Sequence, residues 1–101
     1  MPPVRVAALS EIPPGTAREV VAGGRILAIF NVDGVLRAVD GICPHAGGPL
    51  AEGDVTDGIV TCPWHGWQYD LATGKNCVNP GISAGCHTVR VEGDDVLVDL
   101  P

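Results

Sequence analysis

Two short stretches, Cys43-Pro44-His45 and Cys62-Pro63-Trp64-His65, determine how this chain is interpreted. Sixteen residues separate them, and each supplies one thiol and one imidazole. Proteins use these donor types to bind iron and zinc. Because a metal centre is held from more than one side, the spacing predicts two loops whose tips meet. The candidate ligands are Cys43, His45, Cys62 and His65.

Two kinds of metal centre use two cysteines and two histidines. One is a [2Fe–2S] cluster with Cys on one iron and His on the other, and the second is a tetrahedral zinc site. Zinc motifs usually pair Cys with Cys at a spacing of two to four residues, whereas each pair here mixes the two residue types. The pattern therefore favours one [2Fe–2S] cluster per chain over zinc, and over ordinary buried cysteines and surface histidines.

The composition predicts the fold class. The chain has 101 residues, including 14 glycines and 9 prolines. This length predicts a single domain, residues 1–101, with one hydrophobic core. Frequent Gly and Pro together with abundant Val and Ile favour short strands joined by tight turns. We therefore expect an all-β fold.

The charge balance restricts the partners. Twelve Asp and Glu residues against six Lys and Arg residues give a formal charge of -6, which argues against nucleic acid or an anionic membrane and for a partner with a basic patch. The N-terminus resembles no export signal, and no apolar stretch is long enough to span a membrane. We expect a cytoplasmic protein, whose cysteines bind metal and do not form disulfides.

The hydrophobic pattern predicts a β-scaffold built from both ends of the chain. The predicted strands are Val4–Ala8, Arg18–Ala22, Arg25–Asn31, Val35–Val39, Gly58–Thr61, Trp67–Asp70, Thr88–Glu92 and Asp95–Leu100. Asp33-Gly34 and Gly93-Asp94 separate strand pairs and are typical of tight hairpin turns. The Gly- and Pro-rich segment at about 41–80 contains all four candidate ligands, so we expect it to form an inserted cluster-binding subdomain.

The chain resembles the Rieske [2Fe–2S] family at these motifs. The resemblance continues through Gly66-Trp67-Gln68-Tyr69-Asp70, Thr73-Gly74-Lys75 and the C-terminal hairpin at 91–99. It implies a Rieske fold of stacked antiparallel sheets. It also implies that Cys43 and Cys62 bind the inner iron. The outer iron, near solvent, would be bound by His45 and His65.

Departures from one branch of the family indicate a low reduction potential. Members in the respiratory cytochrome complexes have a loop disulfide at the positions of Gly48 and Trp64, and a serine hydroxyl donor at the position of Trp67. The tyrosine of those members is retained as Tyr69. Without the disulfide and the serine hydroxyl donor, the additional negative charge of the reduced cluster is less stabilised. We therefore expect a reduction potential of about -150 mV. This resembles the ferredoxin and oxygenase branch.

The remaining cysteines and histidine are interpreted as structural. Cys77 and Cys86 lie outside both ligand loops and are expected to be small buried hydrophobes. We expect His87 to lie at the surface. Three of the four aromatic residues, Trp64, Trp67 and Tyr69, lie in or near the ligand motifs. Core packing explains part of this concentration, and aromatic surface around the loops is also expected to shield the cluster and to contribute to a docking face.

A cluster with no open metal position implies one-electron transfer. The resemblance implies a Rieske-type ferredoxin that accepts electrons from a flavin-dependent NAD(P)H reductase and passes them to a terminal ring-hydroxylating oxygenase. Apart from the two candidate ligands, His87 is the one remaining histidine, too few for the mononuclear iron site of an oxygenase. The alternatives are a small subunit of assimilatory nitrite reductase and a non-redox zinc or interaction module.

The charge pattern predicts how the partners bind. We expect a monomer that meets its partners transiently, in contacts that weaken as salt rises. Four acidic residues of the inserted segment are expected at the end where electrons leave: Glu52, Asp54, Asp57 and Asp70.

Overall fold

The fold is all-β, as the composition predicts, and its sheets are antiparallel, as the resemblance implies. The computed structural model describes residues 3–43, 47–64 and 66–99. The strands are β1 (Val4–Ala8), β2 (Ala17–Ala22), β3 (Arg25–Val32), β4 (Val35–Asp40), β5 (Asp54–Thr56), β6 (Ile59–Thr61), β7 (Gln68–Asp70), β8 (Cys86–His87), β9 (Val89–Glu92) and β10 (Asp95–Val98), and the 3-10 helices are Leu9–Glu11 and Leu50–Glu52. The strands form sheets with the orders β1-β10-β9, β2-β3-β4-β8 and β5-β6-β7.

The hairpin of β3 and β4 is confirmed at the predicted turn. Asp33 and Gly34 both have positive φ, 52° and 93°, which is the conformation that an Asp-Gly pair tolerates. The turn sets the register, and Val32 lies opposite Val35.

Strand β3 forms the middle layer because both of its faces are buried. Leu27 and Ile29 pack into one core cluster, while Ala28 and Phe30 pack into a second cluster on the opposite face. Alternate residues of a strand point to opposite faces, so this apolar run covers two cores. The predicted stacking of antiparallel sheets is confirmed.

The two ends of the chain meet in one sheet, as predicted. Strand β10 pairs antiparallel with β1, with Val98 opposite Val4, and with β9 through the Gly93-Asp94 turn. Val96 and Val98 are fully buried and belong to the first core cluster. This sheet therefore closes one side of the middle layer.

The inserted segment forms the third layer and packs on the second core cluster. Its sheet contains the predicted strands β6 and β7 together with β5, which the sequence did not predict. All three residues of β5 are exposed, so the strand has no apolar alternation that could reveal it. No helix within the described ranges is long and apolar enough to cross a membrane.

Candidate metal centre

The first ligand loop is closed by two backbone hydrogen bonds. The N–H of Cys43 donates to the carbonyl of Gly48 at 2.8 Å, and the N–H of Gly47 donates to the carbonyl of Cys43 at 2.8 Å. Gly47 has a φ of 75°, which glycine adopts without steric cost. Cys43 takes part in both bonds, so the loop begins at Cys43 and closes at Gly47 and Gly48.

The second ligand loop is built in the same way. The N–H of Cys62 donates to the carbonyl of Trp67 at 2.7 Å, and the N–H of Gly66 donates to the carbonyl of Cys62 at 3.2 Å. Gly66 has a φ of 72°. Each loop thus has its cysteine at the base, a left-handed glycine four residues later and a closing carbonyl five residues later.

Neighbouring strands fix the bases of both loops. Strand β6 ends at Thr61, directly before Cys62, and β4 ends three residues before Cys43. Gly41 anchors the first loop, because its N–H donates to Ile26 at 2.9 Å and its carbonyl accepts from Leu50 at 2.9 Å. A side chain at Gly41 would lie 2.8 Å from the Ile26 side chain, so glycine is required there for space.

The structure brings the two candidate thiols together in the second core cluster. Cys43 and Cys62 are each 1% exposed and pack in the same buried cluster. Burial raises the pKa of the Cys62 thiol, the backbone N–H of Trp64 acts in the opposite direction, and the neighbouring Cys43 raises it. Two buried thiolates need a compensating positive charge. Iron supplies that charge, so this donor set fits the cluster.

The two candidate imidazoles fall outside the described residues. His45 and His65 therefore remain predictions from the sequence. Elsewhere in the described ranges, no group of three or more His, Cys, Asp or Glu residues is arranged to bind a metal ion.

Tyr69 lies beneath the first loop. It is fully buried, and its hydroxyl lies 3.3 Å from the Sγ of Cys43. Burial and the neighbouring Cys43 raise the pKa of Tyr69 to about 12, while a hydrogen bond from the Asn76 side chain acts in the opposite direction. The sequence singled out Tyr69 through the resemblance. It missed Asn76, a buried residue whose Oδ1 also accepts the N–H groups of Val78 and Asn79.

Three expectations about the remaining residues were wrong. Cys77 and Cys86 are exposed, whereas burial was expected. The His87 side chain is 8% exposed and was expected at the surface. Its Nε2 lies 2.8 Å from Oδ1 of Asp40, so it is a partly buried partner of the last residue of β4. No sequence signal links these two residues, which are 47 positions apart.

The chain resembles known proteins over nearly its whole length. The family model described as the Rieske [2Fe-2S] domain matches residues 2–98. The chain is 37% identical to the biphenyl dioxygenase ferredoxin subunit of Pseudomonas sp. (strain KKS102), over 95% of this chain and 90% of that protein. It is 31% identical to the ferredoxin component of the naphthalene 1,2-dioxygenase system of Pseudomonas aeruginosa, over 96% of this chain and 94% of that protein.

Solved structures show the same fold. One is the ferredoxin in the complex of reduced oxygenase and oxidized ferredoxin in carbazole 1,9a-dioxygenase, with a TM-score of 0.84 and 31% identity over 94% of this chain and 90% of that chain. A putative NADH-dependent nitrite reductase small subunit from Mycobacterium tuberculosis has a TM-score of 0.88 at 24% identity, over 96% of this chain and 93% of that chain. At that identity the second likeness shows the fold alone.

Proposed function

Because the chain belongs to the Rieske [2Fe–2S] family, we propose that it is the ferredoxin of a ring-hydroxylating oxygenase system. It carries single electrons from a flavin-dependent NAD(P)H reductase to a terminal oxygenase. Its part is electron transfer and not catalysis, as its relatives are named ferredoxin components. It works as a cytoplasmic monomer. None of its four cysteines, all within the described ranges, forms a disulfide, which suits a reducing compartment.

The observation that carries this proposal is the pair of matching loops, each with a buried thiol at its base. Cys43 and Cys62 would hold one iron, and His45 and His65 would hold the second. When bound, the cluster supplies reversible one-electron chemistry. The protein's contribution is to bury the thiolates and to present the loop tips to a partner.

Exposed apolar side chains near the loops favour a docking face there. Ile42, Trp64 and Val78 are 41%, 51% and 92% exposed, and we call them the loop-end surface. Val78 shares a groove of about 300 Å³ with Gly66 and Trp67 of the second loop. Aromatic and apolar residues are enriched at the centres of protein interfaces, so this surface suits a small, transient contact.

The acidic residues of the inserted segment are distributed along its sheet. Asp54 lies opposite Thr61, the residue before Cys62, and so at the loop end of β5. Asp57 lies in the turn at the opposite end of β6, and Asp70 lies opposite Ile59 near that turn. The expectation that all of these carboxylates surround the loops was therefore wrong. Asp54 is the carboxylate of this sheet that is placed to attract a basic partner.

Electron transfer with purified partners tests the proposal. The oxidised protein is mixed anaerobically with NADH and the reductase of a biphenyl dioxygenase system, and the visible absorbance of the cluster is followed. We expect rapid bleaching that requires the reductase, and reoxidation when oxidised terminal oxygenase is added. Bleaching without reoxidation by the oxygenase would contradict the assignment. Reoxidation by the large subunit of an assimilatory nitrite reductase, and not by the oxygenase, would instead support the alternative that this chain is the small subunit of such a reductase.

A further inference from the structure

Gly48 packs directly against the second loop. A Cβ at this position would lie 2.9 Å from Cγ of Trp64 and 3.0 Å from Sγ of Cys62. Real Cβ atoms are essentially never found closer than 3.0 Å to such atoms. Gly48 is absent from the residues with positive φ, so its backbone conformation does not demand glycine. Glycine is therefore required at position 48 for space, because the base of the Trp64 side chain lies where a Cβ would be.

Gly48 is the point where the two loops meet. The Sγ of Cys62 and the base of the Trp64 side chain, both in the second loop, lie against Gly48 of the first loop. Gly48 in turn accepts the hydrogen bond from Cys43 that closes the first loop. A chain of contacts therefore runs from Cys43 through Gly48 to Cys62 and Trp64.

The base of the Trp64 side chain lies beside the Cys62 thiol, because both contact the same side of Gly48. About half of Trp64 is exposed, whereas Cys62 is 1% exposed and Gly48 is buried. Removing the indole would open a path for water beside the Cys62 sulfur. It would also remove the apolar contact between the two loops.

We propose that Trp64 is a positioning residue that joins the two ligand loops through Gly48 and thereby slows the loss of bound iron. This role is separate from docking, because it concerns the protein alone. Its test needs no redox partner. The role of Trp64 can therefore fail while the proposed electron-transfer function holds, and the electron-transfer function can fail while the role of Trp64 holds.

The test compares iron release from oxidised holo-protein to an excess of chelator, followed by the loss of cluster absorbance. Trp64→Ala should release iron about tenfold faster, a change equal to about 1.4 kcal/mol and reasonable for a half-buried large apolar side chain. Trp64→Phe keeps a ring on Gly48 and should stay within about twofold of the parent. The midpoint potential of Trp64→Ala should rise, because water stabilises the additional negative charge of the reduced cluster.

Val78→Ala is the matched control, because it removes a more exposed apolar side chain from the same end of the molecule. It should leave iron release and the potential unchanged. Release at the parental rate in Trp64→Ala, or equal acceleration in Val78→Ala, would overturn the proposal. If Trp64→Ala takes up no iron, Trp64→Leu replaces it, with a release rate expected above that of Trp64→Phe. A rate no higher than that of Trp64→Phe overturns the proposal equally.

A double-mutant cycle tests the contact itself. Gly48→Ala should displace the ring and accelerate release. In the Trp64→Ala background the same change should cost less, because the closest contact, Cγ of Trp64, is gone, while the contacts with Sγ of Cys62 and with the Cβ at position 64 remain. Strictly additive effects would show that Gly48 and Trp64 act independently, which overturns the proposed link.

Discussion

The hydroxyl of Tyr69 lies 3.3 Å from the Sγ of Cys43, and both side chains are buried in the second core cluster. A cysteine that binds iron is a thiolate, so in the loaded protein the tyrosine is the donor of this hydrogen bond. The bond strengthens as negative charge accumulates on the sulfur. Tyr69 should therefore stabilise the reduced cluster more than the oxidised one.

Tyr69→Phe should lower the midpoint potential. If the hydrogen bond is about 1 kcal/mol stronger in the reduced state, its loss lowers the potential by about 40 mV for one electron. A spectroelectrochemical titration measures this change. Gln68→Ala is the control, because Gln68 lies on the opposite face of β7, where it donates to the hydroxyl of Thr61. An unchanged potential in Tyr69→Phe would show that the hydroxyl does not influence the cluster.

Replacing each cysteine separately should divide the four into two classes. Cys43→Ser and Cys62→Ser should lose the normal content of two irons and two acid-labile sulfides per chain, which the family's cluster requires. Cys77→Ser and Cys86→Ser should retain it, because both thiols are exposed and lie outside the matching loops. Iron and sulfide analysis of the purified variants measures this. Iron loss in Cys77→Ser or Cys86→Ser would show that the thiolate ligands are misassigned.

Asp54→Lys should slow reduction by a reductase about fivefold at low ionic strength, because it reverses a charge at the loop end of the sheet. Asp57→Lys makes the same charge change in the turn at the far end of β6 and should change the rate little. Stopped-flow rates at rising salt measure both effects, and the difference should shrink as salt screens the charges. Equal slowing in both variants would mean that overall charge, and not its position, governs the encounter.

Gly85→Ala should destabilise the protein. Gly85 has a φ of 73°, and a Cβ there would collide with the Asp40 carboxylate. Gly58 has a similar φ of 75° but opens onto free space, so Gly58→Ala carries the backbone strain without the collision. Thermal unfolding should give a midpoint at least about 5 °C lower for Gly85→Ala than for Gly58→Ala.

The collision can be tested through its partner. In an Asp40→Ala background the additional loss caused by Gly85→Ala should largely disappear. If the two glycine variants melt together, the carboxylate has room to move and the packing of Asp40 is less constrained than the structure indicates.

Local chemistry in the sequence was enough to predict the scaffold. The Asp33-Gly34 turn and the alternation beside Gly93 identify both hairpins, because each depends on residues adjacent in the chain. The predicted strand beginning at Trp67 begins instead at Gln68. The carbonyl of Trp67 accepts the bond that closes the second loop, a constraint that strand propensity does not reveal.

Contacts between distant residues could not be predicted in the same way. The pairing of His87 with Asp40 arises only when β8 pairs with β4, and the packing of Gly48 on Trp64 arises only when the two ligand loops meet. Cys77 and Cys86 were expected to be buried, because free cysteines usually are. Both are exposed, because their segments lie outside the core. The candidate thiolates, in contrast, were identified by spacing, and Cys43 and Cys62 pack in the same core cluster.

Electron-nuclear double resonance on the reduced protein shows whether two histidines and two cysteines hold the cluster. With ¹⁵N-labelled histidine, we expect two distinct nitrogen couplings to the reduced cluster, one each from His45 and His65. His65→Ala should abolish one coupling or the cluster itself. A paramagnetic cluster without histidine couplings, or a protein that contains zinc and gives no signal, would rule out the mixed ligand set.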